Sequence, residues 1–501
     1  MTLDFSNPAH YALALLPETV LSAWAMMLLL IDVFQKGDSS APSRRSIGWL
    51  ALVGIILAAV ANGWLLTVET ASNTGVIAID DFRVFSNFLM LLAAALFVLI
   101  SERYLEQEGL QWGEVHVLVL LATVGMMVFA GANDLMVAFI GLEMMSVPVY
   151  VLTGVNRRDR RSAEGALKYF LLGAFSSAFF LFGVALVYGA TGTTVLPLVA
   201  SAVAGNAESV LLVGGIGMLA VGFGFKVAAV PFHMWTPDAY EGAPGPVTAF
   251  MATGVKAAAF AAFLRVFLTA FPSLTGTWVQ MVAWLAIFTM VTANLIALVE
   301  GNVKRMLAYS SIAHAGYLLV ALAAGSVMGA ASYLFYLVVY TLMTVGAFAV
   351  VFVVGRRGES RLDLDAYSGL AWEKPLIGIV MTIFLLSLAG FPFTGGFIGK
   401  VYILRAAVEN NLVPLAVVLV LTSLVSYWYY LRMAWYMWFR EPAAATTPVE
   451  PLPLSGTIKF ALVAAAVLIV VLGVLPNELL EAAARSAASL SVDAAANIGM
   501  K

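Results

Sequence analysis

Cysteine is absent from all 501 residues. That excludes disulfides, thiolate-held iron–sulfur clusters, c-type haem attachment and a thiol nucleophile within the chain. Charge is nearly as scarce: Asp, Glu, Lys and Arg make up 11% of the sequence, against roughly 25% in a soluble domain. The net charge of −3 is dispersed, with no basic stripe of the kind that binds nucleic acid. Histidine occurs four times and shows no metal-ligand spacing. A nucleophile–base set is also missing. The glycine-rich run VGGIGMLAVGFGF lies inside an apolar stretch with no strand before it. Its glycines suit close helix packing better than a phosphate loop.

What is present is apolar. Hydrophobic residues make up 62% of the chain, and the mean hydropathy is +0.95. The apolar runs are long and unbroken, which excludes a membrane β-barrel with its short alternating strands. A span needs about 20 residues. By that ruler the sequence predicts an all-α polytopic membrane protein of about fourteen transmembrane helices. They fall near 11–34, 46–68, 82–101, 114–131, 134–154, 164–189, 208–235, 246–271, 277–299, 304–325, 329–354, 375–408 (broken), 413–439 and 457–475. The N-terminus carries Asp4 and no base before the first run, so it reads as a retained span and not as a cleaved signal peptide.

Bases in short loops set the orientation. Lys36, Arg44 and Arg45 lie between spans one and two, and Arg157, Arg158, Arg160 and Arg161 between five and six. Lys304 and Arg305 open span ten, and Arg356, Arg357 and Arg361 follow span eleven. All these fall on one face, whereas the 190–207 loop carries no base. Both termini are therefore expected outside.

The chain is organised around residues 222–256, GFGFKVAAVPFHMWTPDAYEGAPGPVTAFMATGVK. An apolar helix carrying Lys226 breaks at Pro231, turns, and re-enters apolar sequence carrying Lys256. A second stretch, LAGFPFTGGFIGKVYIL, repeats the pattern with Lys400. The two stretches lie about five helices apart, an odd number that inverts one copy relative to the other. Broken helices persist at membrane depth only where protein or internal water satisfies their freed backbone groups.

Embedded charges mark the chemistry. Glu143 sits in span five, Lys226 in seven, Lys256 in eight and Lys400 in twelve, with His314 in ten. Each charge at the bilayer centre costs about 2.5–3.5 kcal/mol even on the lenient insertion scale. Burial lowers a lysine's proton affinity and raises a carboxylate's, while a close opposite charge pulls both back. A Glu143–Lys226 pair that opens and closes would switch a proton on and off. At an effective dielectric near 20, two charges 4 Å apart attract by about 4 kcal/mol. His314 suits a relay step, and it also fits a core histidine satisfied by Ser310, Ser311 and Tyr317. Lys304 fits either a cytoplasmic anchor or a relay position. Asp238 and Glu241, in the turn after span seven, read as solvated or as lining a proton intake.

The pieces PFHMWTPDAYEGAP, GLEMMSVPVYVL, RSAEGALKYFLLGAFSSAF, NVKRMLAYSSIAHAGYLL and LAGFPFTGGFIGKVYIL resemble subunit N of the proton-pumping NADH:quinone oxidoreductase, respiratory complex I. The resemblance runs from about residue 11 to 475. It implies two inverted five-helix repeats and breaks in helices seven and twelve. The implied segments are 1–110 (three helices), 111–272 (helices four to eight), 273–440 (nine to thirteen) and 441–501 (helix fourteen and tail). It implies a proton relay through Glu143, Lys226, Lys256, Lys400, His314 and Lys304. No cofactor or metal is expected in this chain, since NADH, flavin, iron–sulfur clusters and quinone belong to other subunits. Neighbouring subunits M, K and J and a bacterial inner membrane follow from the same resemblance. Lys400 distinguishes the sequence from the related subunit M, and the lack of a long lateral helix after residue 475 distinguishes it from subunit L. A multi-subunit cation/proton antiporter shares the fold and the lysines and stands as the alternative; TPDAYEGAP argues against it. A purely structural subunit would have no use for the embedded lysines.

Overall fold

A computed structural model describes residues 2–5, 7–34, 43–70, 75–204, 209–355, 357–359, 361–441 and 454–490. The long helices are α1 (Leu16–Phe34), α2 (Ser43–Trp64), α3 (Asp81–Glu108), α4 (Gly113–Gly131), α5 (Leu135–Thr153) and α6 (Arg160–Thr191). A broken helix follows, α7a (Val210–Val227) and α7b (Thr236–Gly242). Next come α8 (Gly245–Ala270), α9 (Thr275–Val299), α10 (Val303–Ala323) and α11 (Val327–Gly355). A second broken helix, α12a (Pro375–Ala389) and α12b (Gly395–Glu409), precedes α13 (Val413–Phe439), α14 (Gly456–Val474) and the short α15 (Asn477–Ala488). Among the described residues, 13 helices are long and apolar enough to cross a membrane; α12a is an apolar helix too short for that measure.

Caps explain many of the starts. Asp80, Asp134, Asp159, Asn302 and Thr394 accept backbone amides at the N-termini of α3, α5, α6, α10 and α12b, satisfying donors the helix leaves unpaired. α3 ends at Gly109 in a left-handed conformation that glycine adopts without strain. α4 and α5 touch backbone to backbone: a side chain at Gly125 would come within 2.2 Å of the Met145 amide nitrogen.

α8 is buried along its whole apolar window, and α10 and α11 along 94% of theirs, so these three form the centre. α6, α9 and α13 are buried along only 39% and turn apolar faces outward, as a hydrocarbon solvent requires. α15 packs across α11 and α3, and the Phe82 amide at the start of α3 donates to Ser489 at 3.2 Å.

The structure departs from the sequence reading in several places. The 190–207 loop contains a helix, Leu196–Ala204. The first span is divided, with Pro8–Ala14 forming a separate short helix capped by Asn7. Beside the helices, two-residue strands, Thr2–Leu3 and Glu69–Thr70, pair in parallel. After the last span the chain forms one further short helix, α15. Lys36 and Arg356, and the side chains of Arg44, Arg45 and Arg357, lie outside the described residues.

Candidate functional site: a buried file of lysines, hydroxyls and a histidine

Helix α7a ends one residue after Lys226, where Ala228 takes a left-handed φ of 62°. The freed carbonyls are met locally: the Ala229 amide donates to Gly224 at 2.7 Å, and the Trp235 indole donates to Phe225 at 3.0 Å. That satisfaction is what permits a break at this depth. Lys226 is 1% exposed. Its Nζ donates to Ser146 Oγ at 2.7 Å and to Tyr150 OH at 3.2 Å, both on α5, and lies 5.1 Å from the Tyr150 ring centre.

The expected Glu143–Lys226 pair is not formed. Glu143 accepts the Ser177 hydroxyl of α6, and among the described residues no ion pair joins it to Lys226. Glu143, Ser146 and Tyr150 share one face of α5 but differ in height along it: Ser146 and Tyr150 stand buried at the level of Lys226, whereas Glu143 lies half-buried against Ser177 of α6.

Lys256 follows a π-helical turn, Met251–Val255, in α8. Such turns recur at functional sites. Its Nζ donates to Ser311 on α10, at 2.6 Å to Oγ and 2.8 Å to the carbonyl. Tyr340 of α11 donates to the same Ser311 Oγ at 2.7 Å. One turn along α10, His314 is 1% exposed. Its Nδ1 is 2.6 Å from Tyr336 OH and its Nε2 is 3.1 Å from Tyr430 OH; Tyr430 in turn bonds Ser310.

Lys400 sits in α12b, on the far side of the second break. Its Nζ donates to the carbonyls of Leu388 (3.1 Å) and Ala389 (2.9 Å), which the end of α12a frees, and lies 4.7 Å from the Tyr317 ring centre. Lys304 is buried, unlike a solvent-facing anchor. It is 1% exposed and pairs with Glu359 at 2.5 Å, while also donating to the carbonyls of Glu241 (3.0 Å) and Ala243 (2.6 Å). Asp238 and Glu241 are tied into ion pairs with Lys168 and Arg305, which bind α7b to α6 and α10.

The chemistry follows from the partners. Among the described residues, Lys226, Lys256 and Lys400 are held by hydroxyls and carbonyls, and no ion pair joins any of them to a carboxylate. A serine or tyrosine hydroxyl both donates and accepts, so it serves an ammonium and a neutral amine alike by rotating. Ser311 joins Lys256 to Tyr340, and His314 bridges Tyr336 and Tyr430. The sequence reading missed Tyr150, Tyr336, Tyr340, Tyr430 and Glu359. Tyr336 and Tyr340 carry a faint signal, two hydroxyls four apart on one helical face inside an apolar run. Among the described residues, no group of three or more His, Asp or Glu is placed to hold a metal ion.

A family profile described as NADH:quinone oxidoreductase/Mrp antiporter, TM, matches residues 132–426, more than half of the chain. Subunit N of NADH-quinone oxidoreductase from Trichlorobacter lovleyi is 45% identical over 471 residues, covering 93% of this chain and 95% of the relative. The chain belongs to the NADH-quinone oxidoreductase subunit N family. Subunit N of Salinibacter ruber is 43% identical over 96% of this chain and 95% of its own length. Among solved structures, respiratory complex I from Thermus thermophilus with bound aureothin contains a chain 37% identical, with a TM-score of 0.78 over 94% of this chain and 99% of that one. The Mrp complex from Dietzia contains a chain of the same fold, with a TM-score of 0.81 at 21% identity over 96% of this chain and 98% of that one. This chain thus shares its fold with a chain of the Mrp complex, and its sequence is similar to subunit N of NADH-quinone oxidoreductase.

Proposed function

We propose that this chain translocates protons in the membrane arm of an NADH–quinone oxidoreductase, while other subunits carry electrons from NADH to quinone. The observation that supports it best is the set of three buried lysines, Lys226, Lys256 and Lys400, held among the described residues by neutral oxygens. A buried ammonium without a counter-charge has a protonation state that a moving charge can flip.

In this reading Glu143 is the moving charge. Turned to Ser177, as here, it leaves Lys226 to Ser146 and Tyr150. Swung toward Lys226, it favours the ammonium; swung back, it releases a proton toward Lys256. From Lys256 the route continues through Ser311 and Tyr340 to His314, and Lys400 passes the proton outward. Lys304 terminates the polar chain on the arginine-loop side. α12a and α12b together make a fourteenth crossing, and helices four to eight and nine to thirteen form the two inverted repeats. Both termini lie outside a bacterial inner membrane, subunits M, K and J are the neighbours, and the chain holds no cofactor of its own.

The test is Lys226→Ala in the assembled complex. NADH-driven proton transport should fall while assembly and NADH oxidation by an artificial acceptor persist; unchanged transport would sink the reading. The shared fold favours a second reading, a cation/proton antiporter subunit. Sodium-dependent transport without NADH would support that one.

A further inference from the structure

Glu359 lies in the turn after α11, a segment whose arginines mark it as solvent-facing by sequence. It is instead 6% exposed. Its backbone φ is 46°, in the left-handed region, where a non-glycine residue carries about 1–2 kcal/mol of strain. Its carboxylate takes three donors from three helices: Tyr104 of α3 at 2.6 Å, the Gly245 amide that opens α8 at 2.7 Å, and Lys304 of α10 at 2.5 Å. The turn is itself pinned: the Gly358 amide donates to Glu108 at 2.8 Å, and its carbonyl accepts Arg161 at 3.2 Å. Strain, a buried charge and convergence of three helices are each expensive, and a connecting loop requires none of them.

Lys304 grips the other side of the same junction, through the carbonyls of Glu241 and Ala243 at the end of α7b. The Lys304–Glu359 pair therefore spans residues 241–245, the link between the broken helix of Lys226 and the helix of Lys256. Among the described residues, Arg161, Asp159, Glu108 and Glu241 are other charged groups around it, and the Tyr104 and Tyr367 hydroxyls are titratable neighbours of Glu359.

We propose that Glu359 is a positioning residue for proton transfer: its carboxylate fixes the charged Lys304 and, through the Gly245 amide, sets where the Lys256 helix begins. This rests on the function proposed above. With Lys304 charged, the 241–245 link is clamped from both sides. When Lys304 passes a proton to the Glu359 carboxylate, both groups become neutral, the amine has one donor fewer, the charge attraction between them ends, and the start of α8 is released. The charge of one lysine is thereby coupled to the placement of another.

Two variants in the intact complex test this. Glu359→Gln keeps an acceptor for Tyr104 and Gly245 and removes the charge. It should leave NADH oxidation by an artificial acceptor unchanged and lower protons pumped per NADH by about fivefold, the lower range of an inter-site coupling. Combining it with Lys304→Gln should lower pumping no further than either change alone. Glu359→Asp keeps the charge one methylene short and should give an intermediate ratio, a rescue that loss of packing alone would not show. A wild-type ratio in Glu359→Gln overturns the inference; if that variant does not assemble, a wild-type ratio in Glu359→Asp does. Lys226→Ala is measured alongside. If it pumps normally, the underlying function is wrong; if it fails while Glu359→Gln pumps normally, only the role of Glu359 is wrong.

Discussion

Lys226 and Glu143 occupy adjoining helices, α7a and α5, yet each is bonded to a serine: Lys226 to Ser146 at 2.7 Å, and Glu143 to Ser177 of α6. The lysine's hold in this state depends on α5 hydroxyls three and seven residues beyond the glutamate. Removing both, in Ser146→Ala with Tyr150→Phe, leaves the ammonium without an oxygen partner. Each lost hydrogen bond to a charged group is worth about 1.5–3 kcal/mol. The double variant should lose NADH-coupled proton transport, measured by dye quenching in inverted vesicles, more than tenfold by that magnitude. Transport near wild type would show that the two hydroxyls do not hold Lys226 during turnover.

Lys400 has a structural duty beside its proposed chemical one. It fills the carbonyls of Leu388 and Ala389 at the second break. Lys400→Met should therefore reduce pumping and also destabilise the break, by about 1–3 kcal/mol for buried acceptors left unsatisfied. Faster hydrogen exchange of residues 386–396 than in the unaltered complex would register the second effect; an unchanged exchange pattern would refute it.

Asp80 and Arg265 form a two-pronged buried pair, at 2.7 and 2.8 Å, that ties the cap of α3 to α8. Burial by itself would raise the Asp80 carboxyl, but the Arg265 charge, its hydrogen bonds and the Arg83 amide outweigh it and hold the group below the usual carboxylate range. A carboxyl lowered in the folded state contributes stability above its unfolded value, near 3.9, and loses that contribution as pH falls through the lower folded value. Asp80→Asn should cost about 3–5 kcal/mol at neutral pH, because it strands Arg265. The gap between variant and wild-type melting temperatures should narrow below about pH 4. A gap constant between pH 7 and acid would contradict this.

Arg157 is exposed in the loop before α6. Arg157→Ala should change neither pumping nor stability beyond about 0.5 kcal/mol, and a clear loss of pumping would give that loop a role it is not assigned here.

The helices and the breaks were legible because composition carries them: an unbroken apolar run is costly anywhere but in a membrane, and a lysine inside one marks itself. Lys226, Lys256 and Lys400 stood out for that reason, and all three are buried. Partners were less legible. Glu143 and Ser146 are neighbours on one face of α5, and only the packing decides which of them stands level with Lys226; charge complementarity favours the glutamate, the fold favours the serine. Glu359 left no trace, since a carboxylate among loop arginines reads as solvated, and only the fold shows it folded back beneath Tyr104 and Gly245. The Leu196–Ala204 helix was hidden by its shortness, at nine residues.

Helix α3 supplies Asp80 to Arg265 at one end and Tyr104 to Glu359 at the other. The leading trio of helices is thus wired electrostatically into the machinery behind it. A shortened protein starting at α4 would inherit a guanidinium that keeps the Ala130 carbonyl but has lost its carboxylate, and a carboxylate missing a donor. Any such lineage would have to replace both partners, from a neighbouring chain or by substitution, before it could dispense with the trio.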